Sequence, residues 1–418
     1  MAGEENHEGT QGGALGARDR GGCGARLRRG CGGSHTFRGG QEADHHRLGA
    51  RQHRPDAPFD GPALAAAQIE LKKINKKDAL GRKIEIKTCD TQGDNAGAST
   101  ACADQLIGEG AKIIFTTCDV NLAGPVIQES AIKHNLLTIA PCIGTDQLSP
   151  KFPFCGGKNL CYSFGNVAQD EGSAMAQVAW NHGWKTADLA KDNTIIYFDA
   201  VVNAFKARFT QLGGKIKFET TYQDPAIHPG SVNFHAAAAA MIAHPAKVIV
   251  TVTAGAYGAL GPFMDDLRTA NDHTPVLNSW AGDGTYWTDQ NVTNYWFVTY
   301  ANAFGHDPSK AVNKLANALG PLGSQTRPAT GGFITGPAAL DGIVLAIERA
   351  HGSLVGSKLG AVMQKFHQVP TISGKVSFSK RLHSVFGRAY RVIELHNKTA
   401  TEKGTIVAKK VPHSPDQP

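Results

Sequence analysis

In "AGDGTYW" a carboxylate, Asp283, stands between two glycines at the end of the apolar run "PVLNSWAGDG". With no side chain on either neighbour it can approach a cation closely, and a charge-assisted hydrogen bond there is strong. The same Asp-Gly pair is a common turn at a strand end, so both readings stand. "GAYGALG" follows "AKVIVTVT" as a dinucleotide loop would, but it lacks the G-x-G pair and falls in the wrong βα unit. The chain has no G-x-x-x-x-G-K-[ST], no H-E-x-x-H and no G-x-S-x-G. Apart from His45 and His46, its histidines are scattered. No nucleophile and base pair up, so binding without catalysis is expected, with no cofactor and no metal.

The elements that position these groups are regular from Phe59 onward. Gly61–Asn75 has apolar residues at helical spacing, and "GRKIEIKTCD" is a turn followed by an alternating strand, Lys83–Cys89. "NAGASTACADQLIGEG" reads as a helix, "AKIIFTTCD" as a strand, "GPVIQESAIKHN" as a helix and "LLTIAPC" as a strand. After a break near "FPFCGGKNLCYSFGN" the alternation resumes. "KTADLAKD", "KIKFETTYQ", "AKVIVTVTAG" and "PVLNSWAGDG" are strands, separated by the helices "YFDAVVNAFKARFTQLGG", "SVNFHAAAAAMIAH" and "YGALGPFMDDLRTAND". "GFITGPAALDGIVLAIERAHG" is a further helix, and "GKVSFSKRLHSVFGRAYRVIELHN" ends in strands. Such alternation predicts an α/β fold of two doubly wound parallel-sheet lobes. Open α/β sheets bind ligands beyond the carboxyl ends of their strands. The loops to inspect are therefore Ala57–Gly61, Cys118–Asn121, Pro141–Thr145, Lys191–Tyr197, Thr253–Tyr257 and Ala281–Gly284.

The first 56 residues contain no Ile, Val, Lys, Tyr or Trp. One reading is a disordered tail that cannot offset its ordering entropy. The other, which fits better, is an out-of-frame translation. Shifted by one nucleotide, Asp44–Asp56 can be read TTIGSVPDSTGPM, an apolar strand and a Pro/Gly loop. Further upstream the same shift permits a basic start, an apolar stretch and small residues before a Cys, the layout of a secretory signal, free or lipoprotein. The formal charge of +7 comes largely from arginines between Arg18 and Arg54, so no basic nucleic-acid face is indicated. No apolar run approaches the length needed to span a bilayer.

The ordered set helix, "GRKIEIKTCD", helix, "KIIFTTCD", "GPVIQESAIKHNLLTIAPC", "SFGNVAQDEG" resembles the type I periplasmic binding proteins of the branched-chain amino-acid (Leu/Ile/Val-binding) family. These are the solute receptors of ATP-binding-cassette importers, and the resemblance runs from Phe59 to Lys409. It implies two lobes joined by three crossovers and closing on a ligand. The expected organisation is 57–163 with 303–368 as lobe 1, 164–302 with 369–410 as lobe 2, and 411–418 as a polar tail. It implies a membrane permease as partner, a monomer, and an extracytoplasmic or cell-surface location.

The resemblance also carries roles onto residues. Cys118, Asp119 and Asn121 match the loop whose polar groups and amides meet a ligand carboxylate. Asp119 departs from the family's Ser or Thr and would repel a carboxylate; capping the helix that starts near Leu122 is its other reading. Cys142 and Thr145 match the loop around the ligand head group, where Ile143 narrows the space. Asp283 matches the acidic residue that receives the ligand's ammonium. Tyr197 and Phe59 match aromatics of the ligand loops, and Tyr257 lies on a third; ordinary core packing is the alternative for a lone aromatic. Export permits disulfides. Cys155 and Cys161 bracket "GGKN", a tight loop, and are expected to be bridged; Cys89 and Cys118, at the ends of neighbouring strands, are a second candidate pair. A cytoplasmic amide or amino-acid sensor and a nucleotide-dependent enzyme of the same class remain as alternatives.

Overall fold

Two β-sheets built from strands that are not contiguous in the chain organise the molecule. The structure, a computed structural model, describes residues 57–78, 80–91, 95–320 and 329–412. The readings of 1–56 as tail or shifted frame, and most of the 411–418 tail, lie outside the described residues.

In chain order the elements are α1 (Ala57–Lys77), α2 (Ala96–Gly108), β1 (Ile113–Phe115), α3 (Val120–Pro125), β2 (Leu137–Ala140), β3 (Cys161–Asn166) and α4 (Ala168–Asn181). Next come β4 (Thr186–Asp192), α5 (Ile196–Gln211), β5 (Lys215–Tyr222), α6 (Asn233–Ala243), β6 (Val248–Val252), α7 (Leu260–Thr269), β7 (Val276–Asn278) and β8 (Tyr295–Thr299). The last are α8 (Lys310–Leu319), α9 (Thr335–Arg349), α10 (Gly356–Met363), β9 (Val369–Thr371), β10 (Gly374–Val376), β11 (Ser384–Val385), β12 (Ala389–His396) and β13 (Thr399–Val407).

The first sheet has the order β1-β2-β3-β11, all parallel. The second has the order β13-β12-β8-β7-β6-β4-β5, parallel from β8 to β5 and antiparallel where β12 joins β8 and β13. Central strands β2, β3, β6 and β7 are buried throughout, as parallel strands covered by helices must be. Helix α9 crosses the core of the first sheet, and α1 lies against it because Gly336 offers no Cβ to meet the Ala63 carbonyl. Contrary to the expectation that no apolar run approaches a membrane span, Gly331–Arg349 is apolar enough over 19 residues to match one by length and composition, but 83% of it is buried in this core.

The chain crosses between sheets three times: after Asn166, after Thr299 and after Val385. These crossovers converge. The Asn166 amide donates to the Tyr300 hydroxyl at 3.2 Å, and Arg388 donates to the Phe164 carbonyl at 2.6 Å with its guanidinium 4.4 Å from the Tyr300 ring centre. Asp170, buried beside them, is pushed up to about 7 by desolvation, opposed by its bond from Asn166 and by nearby Arg388.

Several expectations need correction. The lobe boundaries move: β3 belongs to the first sheet, so the first crossover follows Asn166, and β9, β10 and β11 stay with the first lobe's core rather than leaving at 369. Lys83–Cys89 forms no sheet ladder. A strand needs a neighbour, and β1 pairs only with β2 among the described residues. The Asn75 side chain takes up that backbone instead, donating to the Ile84 carbonyl at 2.8 Å and accepting from its amide at 2.9 Å. Ala57–Gly61 is the first turn of α1 rather than a loop. The helix expected from Gly124 begins at Val120 and turns π-helical over Val126–Ala131, where Pro125 lacks the amide that would continue the α ladder. Thr399–Val407, unassigned from sequence, is an edge strand.

Candidate functional site

Loops at the carboxyl ends of both sheets meet around one cavity. The first sheet contributes Cys118, Asp119 and Val120 after β1, and Ile143, Gly144 and Thr145 after β2. The second contributes Ile195, Tyr197 and Phe198 after β4, Ala254 and Tyr257 after β6, and Trp280 and Ala281 after β7; Phe59 of α1 completes the lining. The free volume is about 40 Å³, room for a few water molecules. The two walls touch: a Cβ on Gly144 would overlap the Tyr197 ring. The space as it stands is too small for a solute of amino-acid size.

The first-sheet wall is held by charge and by covalent bonds. Asp119 caps α3, its Oδ1 accepting from the Asn121 amide at 2.7 Å, and it also lines the cavity. Asp60, in the first turn of α1, accepts from the Cys118 amide at 2.7 Å. Burial pushes Asp60 up to about 7, against the lowering by that amide bond, and the neighbouring Asp119 charge adds to the rise. A disulfide joins Cys118 to Cys142, another joins Cys89 to Cys102, and a third joins Cys155 to Cys161. The expected Cys89–Cys118 pair is therefore wrong. Without the Lys83–Cys89 ladder, Cys89 faces α2 rather than the end of β1. Asp60, Cys118 and Cys142 present ligand atoms within 4.8 Å of one another, but both sulfurs are committed to the bridge.

The second-sheet wall is aromatic. Trp280 packs edge-on to Phe59 with ring centres 5.1 Å apart and to Tyr197 at 6.5 Å; Tyr197 meets Phe198, and Phe198 meets Tyr257, each at 5.9 Å. Glu171 holds this wall from behind, accepting from the Trp280 amide at 2.6 Å and from the Tyr197 hydroxyl at 2.9 Å. Desolvation pushes the Glu171 carboxyl up to about 8 despite both bonds.

The structure brings six of the nine sequence candidates together at the cavity: Phe59, Cys118, Asp119, Thr145, Tyr197 and Tyr257. Asn121 is exposed, and Cys142 lies behind the wall in its disulfide. Asp283 is fully buried off the lining, where its Oδ2 accepts from the Thr299 hydroxyl and the Gly331 amide, both at 2.6 Å. The turn after β7 aims it at the chain that follows β8, away from the cavity. Trp280, Phe198 and Ile195 were missed. Trp280 stands one residue ahead of the inspected loop, and Ile195 and Phe198 had no signal beyond lying in or next to another.

Two α/β lobes linked by three crossovers bring strand-end loops together over a shared cavity, the place where open α/β sheets hold ligands. The chain belongs to the periplasmic binding protein family, whose profile matches residues 55–400. Its fold is similar to that of the leucine-binding protein LivK of Thermotoga maritima, at 18% identity and a TM-score of 0.68, with 84% of this chain and 95% of that one covered. LivJ of Streptococcus pneumoniae, the branched-chain amino acid transporter substrate-binding protein solved with isoleucine, is similar at 15% identity and a TM-score of 0.68, covering 84% and 95%. A solute-binding protein of an R. palustris ABC transporter, solved with 4-hydroxybenzoate, is similar at 16% identity and a TM-score of 0.70, covering 88% and 97%. The fold is thus the type I periplasmic binding fold of ABC-transporter substrate-binding proteins. No curated protein sequence matches the chain.

Proposed function

We propose that the protein is the extracytoplasmic substrate-binding component of an ABC importer, capturing an amino acid or similar small polar solute by closure of its two lobes and presenting it to a membrane permease. The observation that supports this reading is the cavity itself: loops from both sheets line it, and Gly144 meets Tyr197 across it. Three disulfides in the described part of the chain support an oxidising compartment over the cytoplasmic sensor alternative. The relatives in this fold are solute-binding proteins, which supports binding without catalysis. A thermal-shift panel of amino acids, amides, amines and small carboxylates tests it, paired with small-angle scattering to detect closure. A true solute at 100 times its dissociation constant adds about 2.7 kcal/mol of stability and makes the particle more compact; stabilisation with no compaction would refute capture by closure.

A further inference from the structure

Resting on that receptor reading, we infer that the cavity selects a small organic ammonium ion with an apolar or aromatic body and no free carboxylate. Three features of the lining point to it. First, no Lys, Arg or His lines the cavity among the described residues, whereas Asp119 does, at 7% exposure, with Asp60 one hydrogen bond behind it on the Cys118 amide. A ligand carboxylate would sit against like charge in a small, poorly solvated space, where the repulsion is strong. Second, two amides of the loop after β1 that could receive a carboxylate are already engaged by acidic side chains: Cys118 N–H donates to Asp60 and Asn121 N–H to Asp119. Third, a continuous run of five rings lines the cavity, Trp280, Tyr197, Phe198 and Tyr257 from the second-sheet loops and Phe59 from α1, with neighbouring centres 5.1 to 6.5 Å apart. Aromatic faces attract an ammonium through their quadrupoles, and the attraction grows when the cation is desolvated.

A further group asks for a polar ligand. The Thr145 hydroxyl is buried at 2% exposure on the lining and has no hydrogen-bond partner among the described residues. Buried hydroxyls are almost always paired, and a polar group of the solute supplies the missing partner.

The test uses the full chain and two matched series in titration calorimetry: phenethylamine, phenylalanine and hydrocinnamate, and isopentylamine, leucine and isocaproate. Within each series the body is constant and the charge runs from cation through zwitterion to anion. The amines should bind at least about tenfold more tightly than the amino acids, and the acids should not bind, because the carboxylate of either competitor meets the like charge of Asp119 in a poorly solvated space. Asp119→Asn should weaken the amines about tenfold or more and the neutral amide isovaleramide by less, with the fold kept because Asn caps α3 as well as Asp does. Leucine, phenylalanine or either acid binding as tightly as its amine overturns the charge assignment and leaves the receptor reading standing. Absence of binding across both series overturns the assignment too, and counts against the receptor reading for solutes of this size. Amine affinity unchanged in Asp119→Asn overturns the role of that carboxylate.

Discussion

Asp283→Asn separates two roles that the same carboxylate could have. In the structure its oxygen accepts from Thr299 and Gly331 away from the cavity, and burial pushes its pKa from 3.8 up to about 7, partly offset by those two bonds. An unfolded Asp gives up its proton near pH 4, so between about pH 4 and pH 7 the native state holds a proton that the unfolded state has lost. Stability contributed by this group is therefore full at low pH and falls as pH rises, levelling off above about 7. The shift spans about three pH units at 1.36 kcal/mol each, or roughly 4 kcal/mol in all, of which roughly 3 kcal/mol lies between pH 5 and pH 8. Asn keeps an oxygen for the two donors but cannot titrate. Urea unfolding at pH 5 and pH 8, with disulfides intact, should show the variant gaining roughly 3 kcal/mol on the wild type across that interval. A difference that stays constant with pH would refute the burial argument. Solute affinity should be unchanged, and a large loss would return Asp283 to the ammonium site assigned from sequence.

Gly144→Ala puts a methyl where the Tyr197 ring sits in the closed form; affinity for the bound solute should fall by about tenfold or more with little change in unfolding midpoint, and unchanged affinity would mean that closure does not bring these walls together. Proteolytic mapping without reductant should recover Cys89 with Cys102, Cys118 with Cys142 and Cys155 with Cys161; a peptide linking Cys89 to Cys118 would contradict the path of the chain before α2. Replacing Asp44–Asp56 by TTIGSVPDSTGPM offers β1 a neighbour on its open side, so amides of Ile113–Phe115 and Ile84–Cys89 should gain hydrogen-exchange protection, and unaltered exchange in both would remove the shifted-frame reading.

The parallel core was legible because its strands are short apolar runs bounded by turn residues: "AKVIVTVTAG" and "LLTIAPC" admit little else at their length. The site was legible where a loop directly follows such a run, as at Asp119, Thr145 and Tyr197. Partnership was not legible. The alternation of Ile84 and Ile86 states that a strand could form, but says nothing of whether a neighbour is present to bond it. Asp283 shows the same limit at side-chain scale: its glycine neighbours set how closely it can approach something, while the turn after β7 decides that the something is Thr299. Cys89 illustrates it again, since its pairing depends on a ladder the local sequence could only suggest. Trp280 escaped because loop boundaries drawn from apolar runs are uncertain by a residue or more.

The bridge between Cys118 and Cys142, with Cα atoms 4.7 Å apart, ties the loop after β1 to the loop after β2. That half of the cavity lining is fixed covalently, so under the proposed function little conformational freedom remains there to be lost on capture. The aromatic half has no covalent tie among the described residues and is positioned by ring packing and the two hydrogen bonds to Glu171. Repertoire should therefore drift on one side only: changes at Ile195, Phe198, Tyr257 or Trp280 can retune which solute fits, whereas changes around the bridge disturb whether anything is held at all.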